Sequence, residues 1–261
     1  MAKEPHDIDV SEEAGVRYLH FGSDWVQGAM RIARPFALEL DYTREMMLPL
    51  LMRDDTWPRR VLLIGLGAAS LTKFLWRYRP EAKLTVVEID ARMEGVARMH
   101  FKLPNDPERI RIRIADGADF VSSTRQTFDL ILVDGFDADA RANALDTVPF
   151  YVNCRSRLAD DGLLCINLLS RRRDFAKSVA RVNEAFDNHA IMVPSCTSGN
   201  AIALAAEPPP LLATSAVLPA PTCEQLIDQA KLFKKATGLN LAPTIYRLTL
   251  SGALRGGRLH F

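Results

Sequence analysis

The stretch that most constrains this chain runs from Arg60 to Asp90, RVLLIGLGAASLTKFLWRYRPEAKLTVVEID. Val61 to Ile64 is an unbroken apolar run, the pattern of a parallel strand buried on both faces. Gly65 and Gly67 follow at once, where a chain turns sharply and its backbone can approach a ligand closely. Ala68 to Tyr78 has helical spacing, with Leu71, Phe74, Leu75 and Tyr78 on one stripe, and Pro80 stops it. Leu84 to Val87 is a second buried strand, ending in Glu88. A carboxylate at the tip of the second strand of such a βαβ unit can accept hydrogen bonds from both hydroxyls of a ribose. The stretch reads as a nucleoside-binding unit.

The glycine pattern is incomplete for a dinucleotide, because Ser70 stands where the third glycine of that fingerprint belongs. A dinucleotide seats its pyrophosphate on the helix N-terminus. S-adenosylmethionine has no phosphate and needs only the close turn and the ribose acid.

The rest of the chain repeats the theme. Ala91 to Phe101 is a second helix, and Arg109 to Ala115 alternates Ile with Arg as a strand closed by Asp116-Gly117. Ala118 to Ser123 is a short helix, and Phe128 to Val133 a fourth buried strand that delivers Asp134-Gly135-Phe136-Asp137 into a loop. Thr147 to Leu158 is helical, Asp161-Gly162 a turn, Leu163 to Leu168 a fifth strand, and Arg171 to Phe186 an amphipathic helix. Ala190 to Val193 and Ala201 to Ala205 form a closing antiparallel pair about a turn from Pro194 to Asn200. Pro208 begins an extended segment reaching Pro221, and Thr222 caps a helix from Cys223 to Thr237. Ahead of the organising unit, residues up to about 10 are polar and loose. Short strands follow at Val16–Gly22, Trp25–Gln27 and Met30–Leu40, then a helical segment from Asp41 to Leu51 with Asp41 as N-cap and Pro49 shortening it.

Five α/β alternations ending in a β-hairpin predict a doubly wound sheet, with a small N-terminal β-cap and linking helix over 1–50 and the main domain over 51–261. Ligands of such sheets bind outside the carboxyl ends of the strands, where strand order reverses. That rule gathers Gly65, Glu88, Asp116 and Asp134 onto one rim. A balance of 33 basic to 32 acidic residues gives no electrostatic footprint for nucleic acid or a membrane surface. Four cysteines without a C-x-x-C pair or clustered histidines predict no metal site. No apolar signal region opens the chain and no stretch reaches membrane-spanning length, so a cytoplasmic location is expected.

Taken together, VLLIGLG, VVEID, ADGADF, DLILVDGFD and the later FY and DG resemble the polyamine aminopropyltransferases, the spermidine synthase-like proteins built on the class I methyltransferase Rossmann-like fold. The resemblance implies that Glu88 holds the ribose, that Asp116-Gly117 meets the adenine, and that Gly65 and Gly67 line the turn beneath the nucleoside tail. It further implies that Asp134 positions and deprotonates an attacking amine, that Asp137 assists at the far end of the substrate, and that Gln27 reaches the aminopropyl side from the cap. The co-substrate would be S-adenosylmethionine or its decarboxylated form, the partner a small-molecule amine, and the assembly a homodimer paired through the β-cap.

Three positions depart from the family pattern. Ala68 stands where the glycine turn usually carries an acid, and Phe136 where a small hydroxyl residue is expected. The usual tyrosine aligns with Thr43, leaving Tyr42 one position off. Adenosine recognition reads as intact and polyamine recognition as edited. Methyl transfer to a small molecule on the same scaffold, or nucleoside binding without turnover, remain open alternatives at this point.

Overall fold

The computed structural model describes residues 7–22, 25–136, 141–194, 199–207, 221–255 and 257–259. Three antiparallel strands come first: β1 (Ile8–Glu13), β2 (Val16–Phe21) and β3 (Val26–Arg31), in that order across a small sheet. Residues 8–10, read as loose, belong to β1, which pairs along its whole length with β2 from Ile8↔Phe21 to Glu13↔Val16. So polar a strand is specified by its partner rather than by its own propensity. The two segments expected around Trp25–Gln27 and Met30–Leu40 are one strand that ends at Arg31. Beyond it the chain turns twice, with Arg34 N bonded to Arg31 O and Ala37 N to Arg34 O.

Helix α1 (Asp41–Glu45) begins with Asp41 inside it and Leu40 at the N-cap, so Asp41 is not the cap. A 3-10 turn over Leu48–Leu51 follows, with Pro49 near its start, where a missing N–H does no harm. The main sheet then builds as β4 (Arg60–Ile64), α2 (Ser70–Tyr78), β5 (Lys83–Glu88), α3 (Arg92–Phe101), β6 (Ile110–Ile114), α4 (Gly117–Ser123) and β7 (Phe128–Val133). It continues through α5 (Val148–Arg155), β8 (Leu158–Leu169), α6 (Phe175–Ala185), β9 (Ala190–Val193) and β10 (Asn200–Ala206). The strand order is β6-β5-β4-β7-β8-β10-β9, with β10 antiparallel to both neighbours. Order reverses between β4 and β7, which is the switch point of a doubly wound sheet.

The unbroken apolar runs follow from this layering. Val61 and Leu63 of β4 pack into a core shared with α2, α3 and α1, while Leu62 and Ile64 face a second core formed with α4, α5 and α6. Leu130 and Leu132 divide from Ile131 and Val133 in the same way. A strand covered on both faces has no polar side to show.

Two further expectations are corrected. Asp161-Gly162 lies within β8 at a register shift, where Phe128 opposes Leu158 but Leu130 opposes Leu163. The helix expected from Arg171 starts only at Phe175, since the arginines before it form turns. The chain closes with α7 (Cys223–Thr237), α8 (Ala242–Leu250) and the short pair β11 (Leu254–Arg255) and β12 (Arg258–Leu259). Thr222 caps α7 as expected, in a reciprocal box with Gln225. α8 was not anticipated. It contributes Ile245 and Leu248 to the core cluster that also holds Met46 and Met47, and Arg247 pairs with the buried Glu45 of α1. The extended segment expected from Pro208 lies largely outside the described residues.

Candidate functional site

Parallel strands end on the same side of a sheet, and here four of them end on chemistry. Gly65 after β4, Glu88 ending β5, Asp116 after β6 and Asp134 after β7 all line one cavity of about 840 Å³. Gln27 of β3 and Gly67 and Gly117 line it too, so the cap strand and the glycine turn share a wall. Of the expected site residues, only Asp137 lies outside the described residues. Its neighbour Phe136 lines the cavity.

The glycine turn is required by contact as much as by conformation. Gly65 has φ +98°, and a Cβ there would stand 2.2 Å from the carbonyl oxygen of Asp134. That closeness keeps the ends of β4 and β7 together at the switch point. Ala69, the N-cap of α2, sits at φ +53°, a left-handed conformation that glycine would adopt more easily. Across the turn the cap closes tightly: a Cβ on Gly28 would lie 2.6 Å from that of Ala68. Ser70 Oγ donates to Ala29 O at 3.2 Å beside it.

Glu88 is buried, and its carboxylate already organises the site. Oε2 accepts from the Leu66 N–H in the glycine turn and Oε1 from the Asp90 N–H, each at 2.9 Å. A carboxylate oxygen accepts more than one bond, so each keeps capacity for a further donor. Asp116 caps α4, with Oδ1 accepting from the N–H groups of Ala118 and Asp119 at 2.7 and 3.1 Å. The cap leaves Oδ2 for a ligand. Leu145 packs over Gly117 and Gly135, where a Cβ at either position would meet it at 3.1 and 2.6 Å.

Asp134 is held on both of its oxygens. Its Oδ2 accepts from the Tyr42 hydroxyl at 3.2 Å and its Oδ1 from Asn167 Nδ2 at 2.8 Å. Burial raises its pKa, and those two donors oppose the rise. Burial and the neighbouring Asp134 push the Tyr42 phenol well up, so it remains a donor. Tyr42 therefore stands at the site although it is one position off the family pattern. Thr43 instead turns its hydroxyl back to Leu40 O at 2.7 Å. Sequence reasoning missed Asn167 and Asn200. One signal was visible, an amide inside the apolar run LLCINLL.

Among the described residues no group of three His, Cys, Asp or Glu side chains could hold a metal ion, and no helix is long and apolar enough to cross a membrane.

The fold is that of the class I methyltransferases and the transferases related to them. A family model described as the spermine/spermidine synthase domain matches residues 40–207. The polyamine aminopropyltransferase of Neisseria meningitidis serogroup A is 32% identical over 258 residues, covering 97% of this chain and 93% of that protein. That of Chromobacterium violaceum is 36% identical over 206 residues, covering 79% and 78%. The chain belongs to the spermine/spermidine synthase family. The crystal structure of a probable spermidine synthase from Corynebacterium glutamicum shares the fold, with a TM-score of 0.67 at 22% identity, covering 91% of this chain and 92% of the other.

Proposed function

We propose that the chain transfers an aminopropyl group from decarboxylated S-adenosylmethionine to an amine of a polyamine, with Asp134 as the base. The observation that carries this is the buried carboxylate of Asp134, fixed by two donors in the same cavity as the carboxylates of Glu88 and Asp116. Glu88 takes the ribose hydroxyls, Asp116 and Gly117 the adenine edge, and the Gly65–Gly67 turn the tail. Gln27 reaches the transferred group from the cap, and Asp137 attends the far end of the acceptor.

In the reaction the acceptor nitrogen attacks the propyl carbon bonded to the sulfonium. A C–N bond forms, the C–S bond breaks with its electron pair left on sulfur, and methylthioadenosine departs as a neutral thioether. The proton lost by the amine passes to Asp134. A carboxylate whose pKa is raised by burial is a better proton acceptor than one in water, and the two neutral donors favour its charged form against that rise.

The turn holds no acid at Ala68 to meet the terminal ammonium of the donor. A charge-assisted bond of about 1.5–3 kcal/mol is therefore lost from the decarboxylated form, along with a repulsion of the carboxylate of S-adenosylmethionine. Discrimination between the two nucleosides is correspondingly weaker. The test of the function is incubation with putrescine and either nucleoside. Methylthioadenosine is the expected product. S-adenosylhomocysteine with a methylated amine would replace aminopropyl by methyl transfer, and the absence of both would leave only nucleoside binding.

A further inference from the structure

Beside Asp134, in the wall of the same cavity, stand two buried asparagines. Asn167 interrupts the apolar run of β8 and Asn200 opens β10, and both are under 10% exposed, at 4% and 7%. A buried amide is strongly unfavourable unless its donor and acceptor both find partners. Here the partners run in one direction. Asn200 Nδ2 donates to Asn167 Oδ1 at 2.9 Å, and Asn167 Nδ2 donates to Asp134 Oδ1 at 2.8 Å.

An asparagine amide turned by 180° exchanges its donor for its acceptor. With Asn200 donating, the Asn167 oxygen is committed and its NH2 must face the carboxylate. Turned the other way, Asn167 would present an oxygen to Asp134 Oδ1, a contact that only a protonated carboxyl satisfies. The protonated carboxyl is the form that cannot accept a proton from an amine.

We propose that Asn200 is a positioning residue which, by holding the Asn167 amide in one orientation, keeps Asp134 in its proton-accepting form. The inference rests on the reading of Asp134 as the base. Asn200 acts through Asn167.

The groups around Asp134 do not duplicate this control. Tyr42 from α1 meets the other oxygen, and Cys165 on β8 is held as a neutral thiol by burial. Gly65, at the end of β4, offers only backbone. The other charged groups lining the same cavity, among the described residues, are Glu39, Asp41, Glu88, Asp90, Asp116, Arg141 and Arg171, and Arg171 packs against Gly199, the residue before Asn200.

The experiment is the pH profile of kcat/KM with decarboxylated S-adenosylmethionine and putrescine for the unmodified chain, Asn200→Ala, Asn167→Ala, the double variant and Asp134→Asn. Removing a donor to the charged form raises the pKa of a carboxylate. Asn200→Ala is expected to move the acid limb up by about one pH unit, a loss of about tenfold at the acid end that diminishes toward the alkaline side. Asn167→Ala should move it likewise, and Asn200→Ala should add nothing in the Asn167→Ala background. Asn200→Asp, of the same shape, serves if the alanine variant does not fold: its carboxylate accepts from Asn167, turns the amide, and raises the limb further. A limb that stays in place while the rate falls equally at every pH, or shifts that add in the double variant, would overturn the proposal. Asp134→Asn separates the two readings. If it retains turnover, the base assignment fails. If it is inactive while the Asn200 variants leave the limb unmoved, only the role of Asn200 fails.

Discussion

Where the cap meets the glycine turn, two backbones come so close that one methyl group decides whether they fit. A Cβ on Gly28 would stand 2.6 Å from that of Ala68 and 3.1 Å from the Ala68 nitrogen. Carbon atoms rest at about 3.5–4.0 Å, so Gly28→Ala must part cap and turn by roughly 1 Å. Overpacking of that kind costs about 1–3 kcal/mol. The displacement also pulls on the Ser70 Oγ to Ala29 O bond, which ties the same strand to the start of α2. Gly28 needs no positive φ, so contact and not backbone strain is what the substitution tests. Since about 1.4 kcal/mol is tenfold in affinity, Gly28→Ala is expected to weaken binding of decarboxylated S-adenosylmethionine by roughly tenfold and to lower Tm. Ala68→Gly removes the facing methyl. The double variant should recover most of both losses, with a favourable coupling of about 1–3 kcal/mol. Calorimetric titration and thermal unfolding of the three variants measure it. Gly28→Ala binding within twofold of the unmodified chain, or a double variant no better than the single one, would refute the reasoning.

Glu88→Gln removes the charge that, on the proposed reading, strengthens the ribose bonds, and its NH2 must also face one of the backbone N–H groups from which the carboxylate now accepts. Nucleoside affinity should fall about tenfold or more and Tm should drop; an unchanged Kd in calorimetry removes Glu88 from the site. Asp134→Asn should lower turnover by about 10²–10⁴-fold with nucleoside affinity nearly unaltered, and an equal loss of both would mean that Asp134 supports the fold or the nucleoside instead. Lys73 on α2 is 1% exposed, donates to Phe101 O at 2.6 Å, and burial lowers its pKa to about 7. Between pH 7 and the ordinary lysine range the unfolded chain binds the extra proton, so stability should rise with pH through that window by about 1.4 kcal/mol per unit. Below it both states are charged and this slope vanishes. Denaturant unfolding of Lys73→Met across the window should show the slope gone, and a slope that persists would assign it to another group.

The sequence by itself determined the sheet and the rim. Strands covered on both faces have to be apolar throughout, so β4 and β7 were legible as runs, with β7 matching Phe128–Val133. Because parallel strands all point one way, the residue ending each run was bound to reach the same edge, which is why the sequence alone gathers Gly65, Glu88, Asp116 and Asp134. α7 was legible for a different reason, since Thr222 and Gln225 satisfy each other's backbone within one turn. What depends on distant partners was not legible. β1 is polar and is a strand only because β2 pairs with it, and α8 is held by a core and an ion pair some two hundred residues away. Tyr42 looked displaced by one position because alignment counts residues, whereas the start of α1 at Asp41 sets where the phenol reaches. Asn167 and Asn200 are far apart in the chain and meet through the antiparallel register of β8 and β10. An amide's donor and acceptor ends look alike in a sequence. Only a partner fixed in space decides which one faces Asp134.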